Sequence, residues 1–148
     1  MKFLLLLLPL LLTAETLMVG DVITPIDFPD QREKQHTVGH ESVWVVTWDK
    51  MTTRHANLLF QAKPQLLREG QVAMIVDVSQ TPSGIMNLFV LPRMRSYKHR
   101  ILLGYDAAYN RSIPYSDGAI TVLYLSDGKV LEVAYAEDGE ALEKLLTD

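Results

Sequence analysis

Apolar and polar positions divide the chain into blocks of two periods. Val43 to Thr47 (VWVVT) is an unbroken apolar, aromatic or β-branched run, the composition of a buried strand. After Trp48-Asp49-Lys50, apolar residues recur at Ala56, Leu58, Leu59, Ala62, Leu66 and Leu67, a helical pattern. Arg68-Glu69-Gly70 reads as its end, with the glycine as left-handed cap. Gln71 to Ser79 (QVAMIVDVS) is a second near-continuous apolar strand, broken by Asp77 near its C-terminal end. Ser79-Gln80-Thr81-Pro82 predicts a helix start, Ile85, Met86, Leu88, Phe89 and Leu91 its apolar face, and Pro92 its stop.

Ile101 to Tyr105 predicts a third short strand, and Asp106 to Asp117 a polar connection. Ala119 to Leu125 and Val130 to Tyr135 flank Ser126-Asp127-Gly128-Lys129, the clearest hairpin signal in the chain. Regular alternation predicts Val130, Glu132 and Ala134 on one side of that second strand, and Leu131, Val133 and Tyr135 on the other. A last helix is expected from about Asp138 to Leu146, with Leu142, Leu145 and Leu146 inward. Upstream, Val22 to Phe28 and Gln35 to Val38 read as extended pieces around a charged turn, Asp30 to Lys34.

The first residues follow neither period. Met1-Lys2 precedes Phe3 to Leu12, ten apolar residues, and then Ala14. One positive charge, a short greasy run and a small residue make a secretory signal peptide over residues 1–14, with cleavage after Ala14 or Thr16. The run is well short of the roughly 20 residues that span a bilayer, so no permanent membrane span is expected after cleavage. Residues 17–148 are then one domain's length. The expected location is outside the cytoplasm: periplasmic in a Gram-negative bacterium, secreted otherwise.

Charge and composition narrow the chemistry. The formal charge is −4, and loss of Lys2 makes the remainder more acidic still, which argues against nucleic-acid binding. There is no cysteine, which removes thiol nucleophiles, disulfide exchange, zinc–thiolate sites and iron–sulfur ligation. His36 and His40 are four apart with Glu33 and Glu41 nearby, but Gly39 and the β-branched Thr37-Val38 make a helix carrying them doubtful. Surface or turn histidines are expected, and no metal site. Asn110-Arg111-Ser112 is a glycosylation sequon, relevant only in a eukaryotic secretory pathway.

Arg93, Arg95, Lys98 and Arg100 gather four fixed positive charges in an otherwise acidic chain. One account is a solvated helix end, favourable against the helix dipole. The sharper account is an anion-binding or partner-binding site, since guanidinium groups hold carboxylates and phosphates bidentately.

The order of elements, a β-α-β half followed by β-β-α, is similar to the thioredoxin fold. Gly20-Asp21, Pro25, Phe28, Asp30-Gln31 and His36-Thr37-Val38 resemble the N-terminal approach of exported thioredoxin-like and peroxiredoxin-like domains. Val45-Val46-Thr47-Trp48 resembles the strand leading to their active site, and Asp127-Gly128-Lys129-Val130 their late hairpin. The resemblance implies an α/β class: a thioredoxin-like three-layer α/β/α sandwich with a mixed central sheet and an N-terminal strand or hairpin extension. Aligned on Trp48, it puts Thr52 and His55 where the family carries its two redox cysteines; the peroxiredoxin pattern puts His55 in place of the peroxidatic one. Ile120 falls roughly where the family has a cis-proline, and Pro114 is six residues early.

Ser79 to Asp106 also resembles a family of small exported proteobacterial proteins that share a Leu-Pro-Arg-Met-Arg stretch and are often labelled FAD/FMN-containing dehydrogenases. The chain has no G-x-G-x-x-G after a strand and no length for a flavin-sized second domain, so no cofactor is expected. The reading that follows is a redox-inactive thioredoxin-fold module holding a protein partner, through the old active-site crevice or the 93–100 stretch. The alternatives are an enzyme or metal carrier centred on His55 with Asp49 or Asp77, and a flavin-linked oxidoreductase.

Overall fold

The computed structural model describes residues 15–148; the expected signal peptide lies outside them. A hairpin comes first, β1 (Ile26–Pro29) and β2 (Gln35–Val38). It is followed by β3 (Val43–Thr47), α1 (Lys50–Ala62), β4 (Val72–Asp77) and a composite helix α2 over residues 83–94. Then come β5 (Leu102–Gly104), a short α3 (Ala107–Asn110), β6 (Ile120–Ser126), β7 (Lys129–Ala136) and α4 (Gly139–Thr147). The central sheet is mixed, in the order β5-β4-β3-β6-β7, with β3, β4 and β5 parallel and β6 and β7 antiparallel to their neighbours.

Both faces of this sheet are buried, which is why β3 and β4 read as continuous apolar runs. On one side Val45, Met74, Val76, Ile120 and Val122 pack against Ala56, Phe60, Met86, Leu91 and Leu142 from α1, α2 and α4. On the other, Trp44, Val46, Ile75 and Leu123 pack against Phe28 and Val38 of the hairpin and Ile113 after α3. The N-terminal strip lies along the outer edge of β7. Val130 donates to Asp21 O and accepts from Gly20 N, and Ile23 N donates to Gly128 O.

Four local expectations change. α1 stops at Ala62, because Pro64 cannot continue it and disfavours helix in the residue before it. Gly70 does adopt φ +81°, but in the turn entering β4. Second, α2 begins at Ser83, after Pro82, with no side-chain cap; the Ser79 hydroxyl turns back to Asp77 instead.

Third, Pro92 does not stop α2. The helix runs as an α turn (Ser83–Ile85), a π segment (Met86–Val90) and a second α turn (Leu91–Met94), and Arg95 N still reaches Leu91 O. A wider turn is how a helix passes a proline that has no N–H and whose ring would meet the carbonyl four residues back. It also resets the inward face. Met86 and Leu91, five apart, are both buried, whereas Leu88 and Phe89 are 71% and 68% exposed. The expected apolar face of Ile85, Met86, Leu88, Phe89 and Leu91 is therefore split between core and solvent.

Fourth, β7 does not alternate evenly. Leu125 pairs with Val130 and Tyr124 with Glu132, so Leu131 is an extra residue in a bulge. Val130 and Val133 consequently share the hairpin side, with Ala134 and Ala136 on the helix side.

Candidate functional site

The C-terminal ends of β3 and β4 frame an open groove of about 660 Å³. Trp48, Asp49, Asp77, Arg111 and Tyr115 are among the side chains that line it. Parallel strands ending beside a helix N-terminus place such a crevice there as a matter of topology. The Trp48 and Tyr115 rings meet edge to face, centroids 5.3 Å apart. The Trp48 indole N–H donates to Thr121 Oγ1 (2.9 Å), whose hydroxyl donates to Pro114 O (2.7 Å). Fully buried Thr121 thus holds both the tryptophan and the loop that carries Tyr115. The Tyr115 hydroxyl is held above the ordinary phenol value, chiefly by its hydrogen bond to Asp117, then by burial and the charges of Asp117 and Asp49. The crevice is thus walled by two aromatic rings, with the carboxylates of Asp49 and Asp77 and the guanidinium of Arg111 in its lining.

Thr52, expected in the place of the first redox cysteine, is buried, and its hydroxyl is engaged within the strand-to-helix turn. Its hydroxyl accepts from Trp48 N (3.0 Å) and Asp49 N (3.2 Å) and donates to Asp49 Oδ1 (2.9 Å). Asp49 Oδ1 accepts Thr52 N (2.8 Å) in return, so the pair forms a reciprocal capping box on α1. Thr53 shares a hydroxyl contact with buried Thr47 (2.8 Å). His55 is half-buried, with its carbonyl against Gly139 at the start of α4, and its side chain makes no hydrogen bond to Asp49 or Asp77. Thr52 and His55 therefore do not form a joint site.

Asp77 belongs to a different network. Its Oδ1 accepts from Ser79 N (3.0 Å), Ser79 Oγ (2.6 Å) and Asn110 Nδ2 (2.7 Å). Asn110 Nδ2 also donates to Gly104 O (3.0 Å), and Asn110 is buried, so the sequon asparagine is inside the fold rather than on a loop tip. Gly104 is required here, since a Cβ on it would lie 2.9 Å from Asn110 Oδ1.

The basic stretch divides into two pairs. Arg95 Nε donates to Gln31 O (2.8 Å), and Arg100 pairs with Glu69. Among the described residues Arg93 and Lys98 are exposed and have no ion pair. Gln31, with no exposed surface, is the clamp that sequence reasoning missed. Its Nε2 donates to His99 O (2.7 Å), and its Oε1 accepts Ile101 N (2.9 Å). Arg32 adds bonds to the carbonyls of Arg95 and Tyr97. A glutamine inside a charged, turn-like segment carries no signal of burial on its own.

The histidines are dispersed. His36 Nε2 meets Asp30 Oδ2 (2.7 Å), and His99 Nε2 meets Asn57 Oδ1 (2.8 Å). Burial lowers the His99 pKa. Among the described residues no three His, Asp or Glu side chains gather as a metal would need. No helix among them is long and apolar enough to cross a membrane, and no peptide bond among them is cis, so the turn before Ile120 lacks the family's cis-proline.

No protein-family model matches the chain, and no curated protein matches it in sequence. Solved structures do match in shape. Peroxidoxin BcpB from Mycobacterium tuberculosis superposes with a TM-score of 0.57 at 16% identity, over 86% of this chain and 93% of that one. A putative protein disulfide isomerase from Bacteroides thetaiotaomicron gives 0.58 at 14%, over 87% and 86%. The exposed lipoprotein thioredoxin Etrx1 from Streptococcus pneumoniae gives 0.58 at 10%, over 83% and 98%. These likenesses, with the mixed five-stranded sheet and its flanking helices, identify the fold: the chain is thioredoxin-like, with no cysteine at any of its 148 positions.

Proposed function

We propose that the protein is an exported, redox-inactive accessory module that holds a protein partner in the crevice walled by Trp48 and Tyr115. One observation carries this reading: the hydroxyl of Thr52, which the resemblance sets in the place of the first redox cysteine, is consumed in capping α1, while the groove beside it stays open. A scaffold that has lost its nucleophile retains a concave, partly apolar surface of the kind that takes a peptide side chain. Tyr115, 56% exposed, is the aromatic group that such a partner would cover. The export reading rests on Lys2 and the leucine-rich run from Phe3 to Leu12, and the expected compartment is the periplasm in a Gram-negative bacterium.

A photo-crosslinking residue placed at Tyr115 should capture one defined partner from the exported fraction, and Trp48→Leu should abolish that capture. Capture that is absent, or indifferent to Trp48, overturns the reading. An enzyme or metal carrier centred on His55 has less support, because neither Asp49 nor Asp77 touches that ring. The flavin-linked reading has no nucleotide-binding motif behind it.

A further inference from the structure

The outer face of α2 carries the largest apolar groups that the fold leaves uncovered on a helix. The π segment turns Leu88 and Phe89 outward, and Ile85, one turn earlier, is 48% exposed. Large neighbouring apolar groups in water mark an interaction surface, and π segments inside α-helices are frequent at functional sites. None of these three side chains lines the crevice beside Trp48 or the pocket bounded by the hairpin, the end of α1 and residues 96–102.

Charge selects the occupant. Between Asp77 and Asp106 the chain has no aspartate or glutamate, although the full sequence carries eighteen acidic residues. Arg93 lies one turn beyond Phe89, exposed and without an ion pair among the described residues, and Lys98 follows in the same condition. Arg95 remains exposed and charged although its Nε is held by Gln31. A second copy meeting this face across a two-fold axis would set cations against cations. A peptide gains its specificity from a pocket that seats its side chains, and neither pocket described takes in these three residues. An anionic bilayer needs no groove: it admits leucine and phenylalanine at the headgroup boundary, and its phosphates attract the flanking arginine and lysine.

We infer that the face made by Ile85, Leu88 and Phe89, with Arg93 and Lys98 beside it, docks the protein reversibly on an anionic lipid surface. The rest of the molecule, net negative, is repelled by the same surface, so docking has one orientation. This surface is separate from the crevice, and either assignment can fail alone.

The test uses the exported protein with its leader removed, carrying Phe89→Trp, with the unsubstituted processed protein as the background for Trp44 and Trp48. Vesicles of phosphatidylcholine, with and without an equal part of phosphatidylglycerol, carry brominated acyl chains. Emission from position 89 should shift to the blue and be quenched on the anionic vesicles only, and half-molar salt should reverse it. In the unsubstituted background, Leu88→Ser with Phe89→Ser, or Arg93→Glu with Lys98→Glu, should lower the affinity for anionic vesicles about tenfold or more with an unchanged melting temperature. Quenching that is absent, or equal on neutral lipid, overturns the inference. So does vesicle binding that survives both double substitutions, which would place it elsewhere in the chain. A mass that doubles with concentration in sedimentation and returns to monomer with Leu88→Ser and Phe89→Ser would overturn it in favour of self-association.

Discussion

Thr52 and Asp49 hold each other reciprocally: the threonine hydroxyl donates to Asp49 Oδ1 at 2.9 Å, and the same oxygen accepts the Thr52 amide at 2.8 Å. Because the hydroxyl also takes the amide protons of Trp48 and Asp49, it fixes the strand-to-helix turn. Thr52→Ala should cost about 1–2 kcal/mol in denaturant unfolding, by loss of a cap. Thr52→Cys should leave insulin-disulfide reduction at the buffer blank, since no second thiol exists to resolve a mixed disulfide. Turnover above the blank in the unsubstituted protein would contradict the redox-inactive reading.

Gln31 joins the hairpin to the segment before β5 through three groups. Gln31→Leu fills similar space but strands the Ile101 amide and the His99 carbonyl. The expected loss is about 2–4 kcal/mol, since each buried polar group left without a partner costs roughly 1–3 kcal/mol. Urea unfolding measures it, and a change below about 0.5 kcal/mol would show that the clamp is dispensable.

Arg93 and Arg95 should separate in a stability assay, although the sequence presents them as equivalent. Arg93→Glu, at an exposed and unpaired position, is expected within about ±0.5 kcal/mol. Arg95→Glu removes the donor to Gln31 O and sets a carboxylate in its place, so a loss of about 1–2 kcal/mol is expected. Equal melting temperatures for the two variants would refute the division of the basic stretch.

His99 makes stability depend on pH. Burial among Phe60, Tyr97 and Asn57 lowers its folded pKa below the ordinary 6.5. The unfolded chain then binds the proton more readily, so this contribution is complete above pH 6.5 and is lost as pH falls towards the folded value. Asp30 acts lower on the scale. Burial alone would raise its pKa, but His36 and the amides of Arg32 and Lys34 outweigh that and hold it below 3.8, so its contribution is lost only in stronger acid. Melting curves between pH 7.5 and 5.5 should show a decline that His99→Gln flattens. A decline of the same size in that variant would assign it to another group.

The fold was legible where one residue type leaves few choices. The runs at Val43–Thr47 and Val72–Asp77 had to be central strands, and Asp127-Gly128, both at positive φ, had to be the hairpin turn. What stayed hidden depended on partners distant in sequence. Pro92 reads as a stop until the π segment before it is seen, and that one extra residue per turn decides whether Phe89 faces the core. Leu131 reads as one more alternating residue until its bulge is seen against Tyr124 and Leu125. In the candidate site, Trp48 and Thr52 were legible as the end of a strand and the start of a helix. Tyr115 and Gln31 were not, because neither carries a local signal for the tertiary contacts it makes.

The strip from Gly20 to Ile23 has a consequence for the behaviour of the chain in concentrated solution. β7 is one of the two end strands of the sheet, and an unpaired edge is a template on which other chains can add strands without limit. The strip occupies the outward backbone groups of Val130 and the carbonyl of Gly128, and the bulge at Leu131 bends the next stretch out of register. Together they deny an incoming strand the backbone groups it would pair with at this end of β7. Truncation through Ile23 should expose that edge and raise thioflavin-T fluorescence above that of the untruncated protein.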